Sequence, residues 1–242
     1  MSPASPIRLL IHGASGRMGG ALLRLAADDS RFVVCAAISG RTASARIDAS
    51  VVLTADRIEQ APEFDCALDF SLSAGFDGIL ALCLQRGKAL VSGTTGLSVA
   101  QQDALQDAGS RIPILWAANF SVGVVVLTEL VRRAAAALPD WDCNIIEAHH
   151  KHKQDAPSGT ALQLGRAIEE GRPRAPEYTS LRAGDIIGEH SVMLTGIGER
   201  LELIHRASSR DIFARGALEA AVRLSGKPAA RYRLADLLLG KV

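Results

Sequence analysis

At 242 residues, with 48% hydrophobic and 22% charged residues, the chain has the balance of a soluble globular protein that can bury a real core in one domain or two. A formal net charge of +1 excludes a general attraction to nucleic acid or membrane, and 4% aromatics leave few platforms for stacking bases. No apolar run reaches the ~20 residues of a membrane helix, the start shows no secretory pattern, and four scattered cysteines form no CxxC pair, so a cytoplasmic protein with reduced core thiols is expected.

The first half reads as alternating strands and helices. Ile7 to His12 is a short apolar run, followed by a glycine turn and a helical pattern from Met18 to Ala27. Phe32 to Ile38, Ala67 to Phe70, Ala89 to Ser92 and Ile112 to Trp116 have the composition of buried strands, and Val51 to Leu53 is one more candidate. Phe76 to Gln85 and Ser98 to Ala108 have helical length between them. This alternation predicts an α/β domain, a parallel sheet with helices on both faces. The pattern changes after Asn119. Val122 to Leu138 predicts a long helix, Trp141 to Glu147 a strand, and Ser158 to Glu170 a helix. Tyr178 to Arg182, Glu189 to Thr195 and Arg200 to Arg206 then read as grouped strands, which suggests a second, α+β domain. Gly171 to Pro176 is expected to be an exposed loop, and Ile212 to Leu224 a helix returning to the first domain. The expected division is 1–119 with 210–242, and 120–209.

Gly13-Ala14-Ser15-Gly16-Arg17-Met18-Gly19 stands at the first strand–helix junction with G-x-x-G-x-x-G spacing, a variant of the dinucleotide fingerprint. Gly13 permits the tight turn, Gly16 lets backbone approach a pyrophosphate, and Gly19 lets the helix pack close to the strand. An NAD site usually ends its second strand with Asp or Glu for the ribose 2′-hydroxyl. Here Ile38-Ser39-Gly40-Arg41 carries no acid. Ser39 can donate to a 2′-phosphate and Arg41 can pair with it, with Arg17 in reach of the same group. NADPH is therefore the preferred cofactor, with NADH a possible one; solvated loop arginines are the plain alternative. The loops Ser92-Gly93-Thr94-Thr95-Gly96 and Ala117-Ala118-Asn119-Phe120 each follow a strand, where ligands of such sheets bind. Thr94, Thr95 and Asn119 can meet the nicotinamide there.

Glu147-Ala148-His149-His150-Lys151-His152-Lys153-Gln154-Asp155-Ala156-Pro157-Ser158-Gly159-Thr160 crowds three imidazoles and two ammonium groups into five positions. Charges this close need something negative beside them. Histidine titrates nearest neutrality, and Ser158, Gly159 and Thr160 can open a helix whose free N–H groups attract an anion. The segment reads as a site where an anionic substrate gains or loses a proton. A solvated basic loop is the bland alternative. No metal is expected, because the interleaved lysines repel a divalent cation and no cysteine pair completes a zinc site.

The pieces GASGRMG, GTTG, AANFSVG, EAHHKHKQDAPSGTA, RAGDIIGEH and GERLELIHRASSR extend over most of the chain. In that order they closely resemble the 4-hydroxy-tetrahydrodipicolinate (dihydrodipicolinate) reductases of the diaminopimelate route to lysine. The resemblance implies a Rossmann-like doubly wound cofactor domain and an α+β domain that supplies substrate and tetramer contacts. It implies NAD(P)H-dependent reduction of 4-hydroxy-tetrahydrodipicolinate, a small dicarboxylate, to tetrahydrodipicolinate by a homotetramer. His149 matches the family's proton donor and Lys153 its second catalytic residue, while His150, Gly159 and Thr160 match substrate-binding positions. Gly13 to Met18, Gly93 to Thr95 and Ala117 to Phe120 match cofactor positions. Ser39 departs from the acid that many members carry, and the segments 41–63 and 171–178 are short beside many relatives. Another nicotinamide-dependent reductase and a non-catalytic dinucleotide sensor are the competing readings.

Overall fold

The computed structural model describes residues 5–40 and 51–240. In chain order it forms β1 (Ile7–His12), α1 (Arg17–Ala27), β2 (Phe32–Ser39), β3 (Val51–Thr54), a 3-10 turn at Ala55–Gln60, β4 (Cys66–Asp69) and α2 (Ser73–Arg86). There follow β5 (Ala89–Ser92), α3 (Val99–Ala108), β6 (Pro113–Trp116), α4 (Val122–Ala137), β7 (Asp142–His149) and α5 (Gly159–Gly171). The chain closes with β8 (Glu177–Arg182), β9 (Gly188–Thr195), β10 (Arg200–Ala207), α6 (Asp211–Leu224), β11 (Ala230–Tyr232) and α7 (Leu234–Leu239). Two compact units result, Met1–Phe120 with Phe213–Val242, and Ser121–Ile212.

The first unit holds a seven-stranded sheet in the order β11-β6-β5-β4-β1-β2-β3, every pair parallel. Strands covered on both faces must be apolar on both, and Leu9, Leu10 and Ile11 are all fully buried. This is the Rossmann-like, doubly wound arrangement. Leu90, Ile114, Phe64, Phe76, Ile79 and Leu105 build one side of its core, each side chain contributing ~1.5–3 kcal/mol through burial. Helix α2 starts three residues before the apolar pattern that predicts it, because Ser73-Ala74-Gly75 carries no periodic signal. It ends at Gly87 in a left-handed conformation (φ 62°), the usual glycine stop. All four cysteines are free and buried, and burial pushes the Cys66 thiol up to about 12. Helix α6 carries the chain back into this unit. A Cβ built on its Gly216 would lie 1.8 Å from the Phe120 carbonyl oxygen, so only glycine lets the returning helix lie against the segment where the chain leaves.

The second unit holds a mixed sheet in the order β10-β9-β7-β8, with β7 and β8 parallel and β9 antiparallel to its neighbours. Leu127, Val131 and Ala135 of α4 and Leu164 and Ile168 of α5 pack on Cys143, Ile145, Val192 and Leu194. Side chains alternate across a strand. Ile146, Leu181 and Ile204 therefore emerge on the other face, 41%, 53% and 42% exposed. The expected exposed loop at Gly171 to Pro176 holds for Pro173, Arg174 and Ala175, and its ends differ. Helix α5 continues to Gly171, whose missing Cβ lets it approach the Arg132 carbonyl, and Arg172 is buried with its guanidinium on the Arg174 and Trp141 carbonyls. Among the described residues no helix is long and apolar enough to cross a membrane.

Candidate functional site

The glycine loop lies where β1 hands over to α1. Gly13 adopts φ +81°, and a Cβ there would stand 2.5 Å from the Phe70 carbonyl. A Cβ on Gly19 would come within 2.3 Å of the Gly13 carbonyl, so both positions require glycine. The Gly13 and Ala14 amides donate to the Ile38 carbonyl, and Gly16 donates to Gly13. The first helical bond is Gly20 to Gly16. The amides of Arg17, Met18 and Gly19 therefore precede the helical ladder, at the positive end of α1, a site suited to phosphate. Ser15, Gly16 and Arg17 are exposed there. Ser39, at the end of β2, is buried and donates its hydroxyl to Ser15 Oγ at 2.7 Å. Arg41, expected at the 2′-phosphate, lies outside the described residues, as does Arg46.

The carboxyl ends of β1, β4 and β5 meet on one buried carboxylate. Asp69 is 2.9 Å from His12 Nδ1 and accepts from the hydroxyls of Ser71 (2.7 Å), Ser92 (2.8 Å) and Thr94 (2.7 Å). Burial pushes its pKa up, but His12 and the hydroxyl donors outweigh this and hold it below the usual range. The Thr94 hydroxyl thus faces inward and fixes the Gly93–Thr95 loop, while Thr95 is exposed. Gly93 packs against the Phe70 ring, whose Cε1 a Cβ would meet at 2.2 Å. Phe70 in turn stands edge-on to Phe120, 5.2 Å between centroids, and Trp116 Nε1 donates to the Thr94 carbonyl. The Gly13–Met18, Gly93–Thr95 and Ala117–Phe120 loops therefore lie at the carboxyl ends of β1, β5 and β6, the binding edge of such a sheet.

In the second unit the basic stretch divides. Glu147 and His149, two apart on β7, share its buried face, whereas Lys151 and His152 are exposed and His150 is half-buried. His149 Nδ1 lies 2.5 Å from Glu147 Oε2. Arg182, beside His149 in the β7–β8 register, clamps the same carboxylate with bonds of 2.9 and 2.7 Å. The Ser158 amide donates to Glu147 Oε1 at 3.3 Å. Ser158 caps α5 by accepting from the Ala161 amide, and its Oγ lies 3.1 Å from His190 Nε2. Gly159 and Thr160 form the first turn, and a Cβ on Gly159 would touch nothing within 4 Å, so the helix start is open there. Lys153 Nζ pairs with Asp155 Oδ1 at 2.7 Å.

The electrostatics follow from this packing. Burial pushes the Glu147 carboxyl up, but hydrogen bonds from Arg182, Ser180 and His149 overcome it and leave it at about 2. Burial lowers the His149 pKa; Glu147 opposes this, and Lys153 and Arg182 add to it. Burial drives His190 down to about 4, with the neighbouring His149 ring, 5.2 Å away and edge-on, adding to the effect. His12, Asp69, Arg182 and His190 are the structural partners that motif reading misses. Their sequence signals are a polar residue at the end of an apolar strand, in His12 and Asp69, and the RAGDIIGEH piece, which begins with Arg182 and ends with His190.

Family models described as dihydrodipicolinate reductase, N-terminus and C-terminus, match residues 7–120 and 123–238. The chain is 63% identical over 236 residues to the 4-hydroxy-tetrahydrodipicolinate reductase of Xanthomonas campestris pv. campestris (strain B100), covering 97% of this chain and 99% of that one. It is 58% identical to the reductase of the same name from Stenotrophomonas maltophilia (strain K279a), covering 97% and 98%. A dipicolinate-bound dihydrodipicolinate reductase from Paenisporosarcina sp. TG-14 shares the fold, with a TM-score of 0.82 at 23% identity over 94% of this chain and 97% of that one. A C. glutamicum DAP dehydrogenase shares it more distantly, with a TM-score of 0.62 at 13% identity over 97% and 96%. With both family models and near-full-length relatives in agreement, the chain belongs to the dihydrodipicolinate reductase family, oxidoreductases whose N-terminal unit is a nucleotide-binding Rossmann domain.

Proposed function

We propose that this chain reduces 4-hydroxy-tetrahydrodipicolinate to tetrahydrodipicolinate in the diaminopimelate route to lysine, using NADPH in preference to NADH. The observation that carries this is His149, aligned by a buried carboxylate on the same unit as an open helix start and Lys153. The glycine loop fits a dinucleotide, since a side chain at Gly13 or Gly19 would fill the space that shapes the turn. Gly13 to Met18, Gly93 to Thr95 and Ala117 to Phe120 would hold it, and a bound nicotinamide supplies hydride. The second strand ends at Ser39, without the acid that would repel a 2′-phosphate, and Arg17 at the start of α1 adds a positive charge.

The substrate is a cyclic imine with two carboxylates. Loss of its 4-hydroxyl as water leaves a conjugated, electron-poor ring that accepts hydride at C4. The electron pair then arriving at C3 takes a proton, which His149 Nε2 gives as a general acid. Lys153 and the amides at Gly159 and Thr160 bind a carboxylate and stabilise the negative charge as it develops. His150 borders the same ligand. Asp155 orients Lys153 or forms a plain surface pair with it. A dianionic substrate also restores the proton affinity that burial takes from His149.

Oxidation of NADPH in the presence of freshly generated synthase product tests the assignment. Consumption that depends on this imine, and not on common keto acids, is expected; equal rates with keto acids would point to a different reductase. The exposed apolar strip of Ile146, Leu181 and Ile204 supports a homotetramer assembled through the free sheet face. Sedimentation at a single monomer mass, over micromolar concentrations, would rule that out.

A further inference from the structure

We propose that Glu147 is a positioning residue of the reaction: clamped by Arg182, its carboxylate accepts a hydrogen bond from His149 Nδ1–H and so commits Nε2–H to the substrate. This rests on His149 being the proton donor. Four donors converge on one fully buried carboxylate: the Arg182 guanidinium, the His149 ring, the Ser158 amide and the Ser180 side chain. A carboxylate that accepts from all four stays ionised, and an ionised acceptor at Nδ1 leaves one choice for the ring. Its neutral form after proton transfer carries hydrogen on Nδ1, and Nε2 is the position that gives and regains the proton. Nε2 faces Gly188, where a Cβ would stand 3.1 Å away, so glycine keeps that side clear.

The same carboxylate reaches the anion-binding helix start. Glu147 Oε1 accepts from the N-cap residue of α5, while Oε2 accepts from His149. One rigid anchor thereby sets the spacing between the proton donor and the amides proposed to bind the carboxylate. Strand pairing makes the clamp stiff, since His149 is registered with Arg182 and Glu147 with Ser180. A purely structural ion pair joining β7 to β8 would need neither the His149 contact nor the Ser158 contact.

Glu147→Gln is nearly isosteric but has one acceptor oxygen, so its amide must face either Arg182 or His149, both of them donors. Turnover should fall ~10-fold or more, as when a buried carboxylate stops fixing a catalytic imidazole. Without the carboxylate, the loss of activity with rising pH should move to lower pH, because imidazolium loses its stabilising charge. In a His149→Gln background the same change should cost nothing further. Wild-type turnover and an unmoved pH profile in Glu147→Gln, with His149→Gln impaired, would overturn the positioning role alone. Wild-type turnover in His149→Gln would overturn the donor assignment and the positioning role together. Should Glu147→Gln fail to fold, nitrogen NMR of the unmodified protein decides: neutral His149 is expected to carry its proton on Nδ1, and a proton on Nε2 overturns the proposal.

Discussion

His149 shows how one residue's packing sets chemistry. Burial lowers its proton affinity below the ordinary histidine value, and a donor works only while protonated. kcat/KM should therefore fall as pH rises, with a midpoint below ~6.5, the unperturbed histidine value. His149→Gln should lower turnover ~10²-fold or more and keep NADPH affinity near wild type. A pH–rate series with parallel cofactor titration checks both. His190 bears on stability instead. Its folded value is about 4, so as pH falls below ~6.5 the unfolded chain binds a proton that the folded chain refuses. Stability should drop across that window, by up to ~3 kcal/mol at its acid end. Glu147, at about 2, adds a further loss as pH falls from ~4.5 through its own value. Urea unfolding at pH 7 and pH 4.5 should show a smaller difference in His190→Gln than in the unmodified protein. The basic cluster beside a helix-start signal is legible in the sequence, whereas the choice of His149 and Lys153 within it comes from the family resemblance. The contacts of Arg182 and His190 are not legible, because they join Glu147 and Ser158 across separations of 35 and 32 residues that only strand pairing closes.

Among the elements, α5 bears most directly on the proposed function through its first turn. Its cap and its open Gly159 support the anion site proposed above, with Lys153 as its cation. Lys153→Met keeps much of the stem and removes the charge, so kcat/KM should fall ~10-fold or more, the worth of a charge-assisted contact. Thr160→Val should act in the same direction and more mildly, since the backbone donors remain. Wild-type kcat/KM in both would move the anion site elsewhere. Strands β1, β2, β4, β5 and β6 are legible in the sequence because burial on both faces makes continuous apolar runs. β11 is not: three residues, Ala230-Arg231-Tyr232, lie at the sheet edge and owe their strand form to pairing with β6. α7, six residues with Asp236 near its start, falls below the length at which helical periodicity can be read. In the Gly171–Pro176 segment the loop itself is legible, but the burial of Arg172 is not, because its partners are backbone carbonyls that only the fold supplies.

For the whole molecule, cofactor choice is the open quantity. A charge-assisted contact from Arg17 or Arg41 to a 2′-phosphate is worth ~1.5–3 kcal/mol, so NADPH should bind roughly tenfold to over a hundredfold more tightly than NADH. The gap should narrow as salt screens exposed arginines. Ser39→Glu with Arg41→Ala should reverse the order, although the new side chain must first displace the Ser39–Ser15 hydrogen bond. Titration of both cofactors at fixed ionic strength checks this, and equal binding by the unmodified protein would mean that the arginines are merely solvated. The close approach of Gly216 to Phe120 has another consequence. The exit and re-entry points of the chain are neighbours within the Rossmann unit, so residues 121–212 are a guest spliced into a host whose cut ends already meet. Such hosts tolerate excision. A chain joining Phe120 to Phe213 through a short flexible linker should keep its parallel sheet and titrate with NADPH, yet turn nothing over. Circular dichroism with cofactor titration reads this, and aggregation or lost binding would show that the host needs its guest to fold.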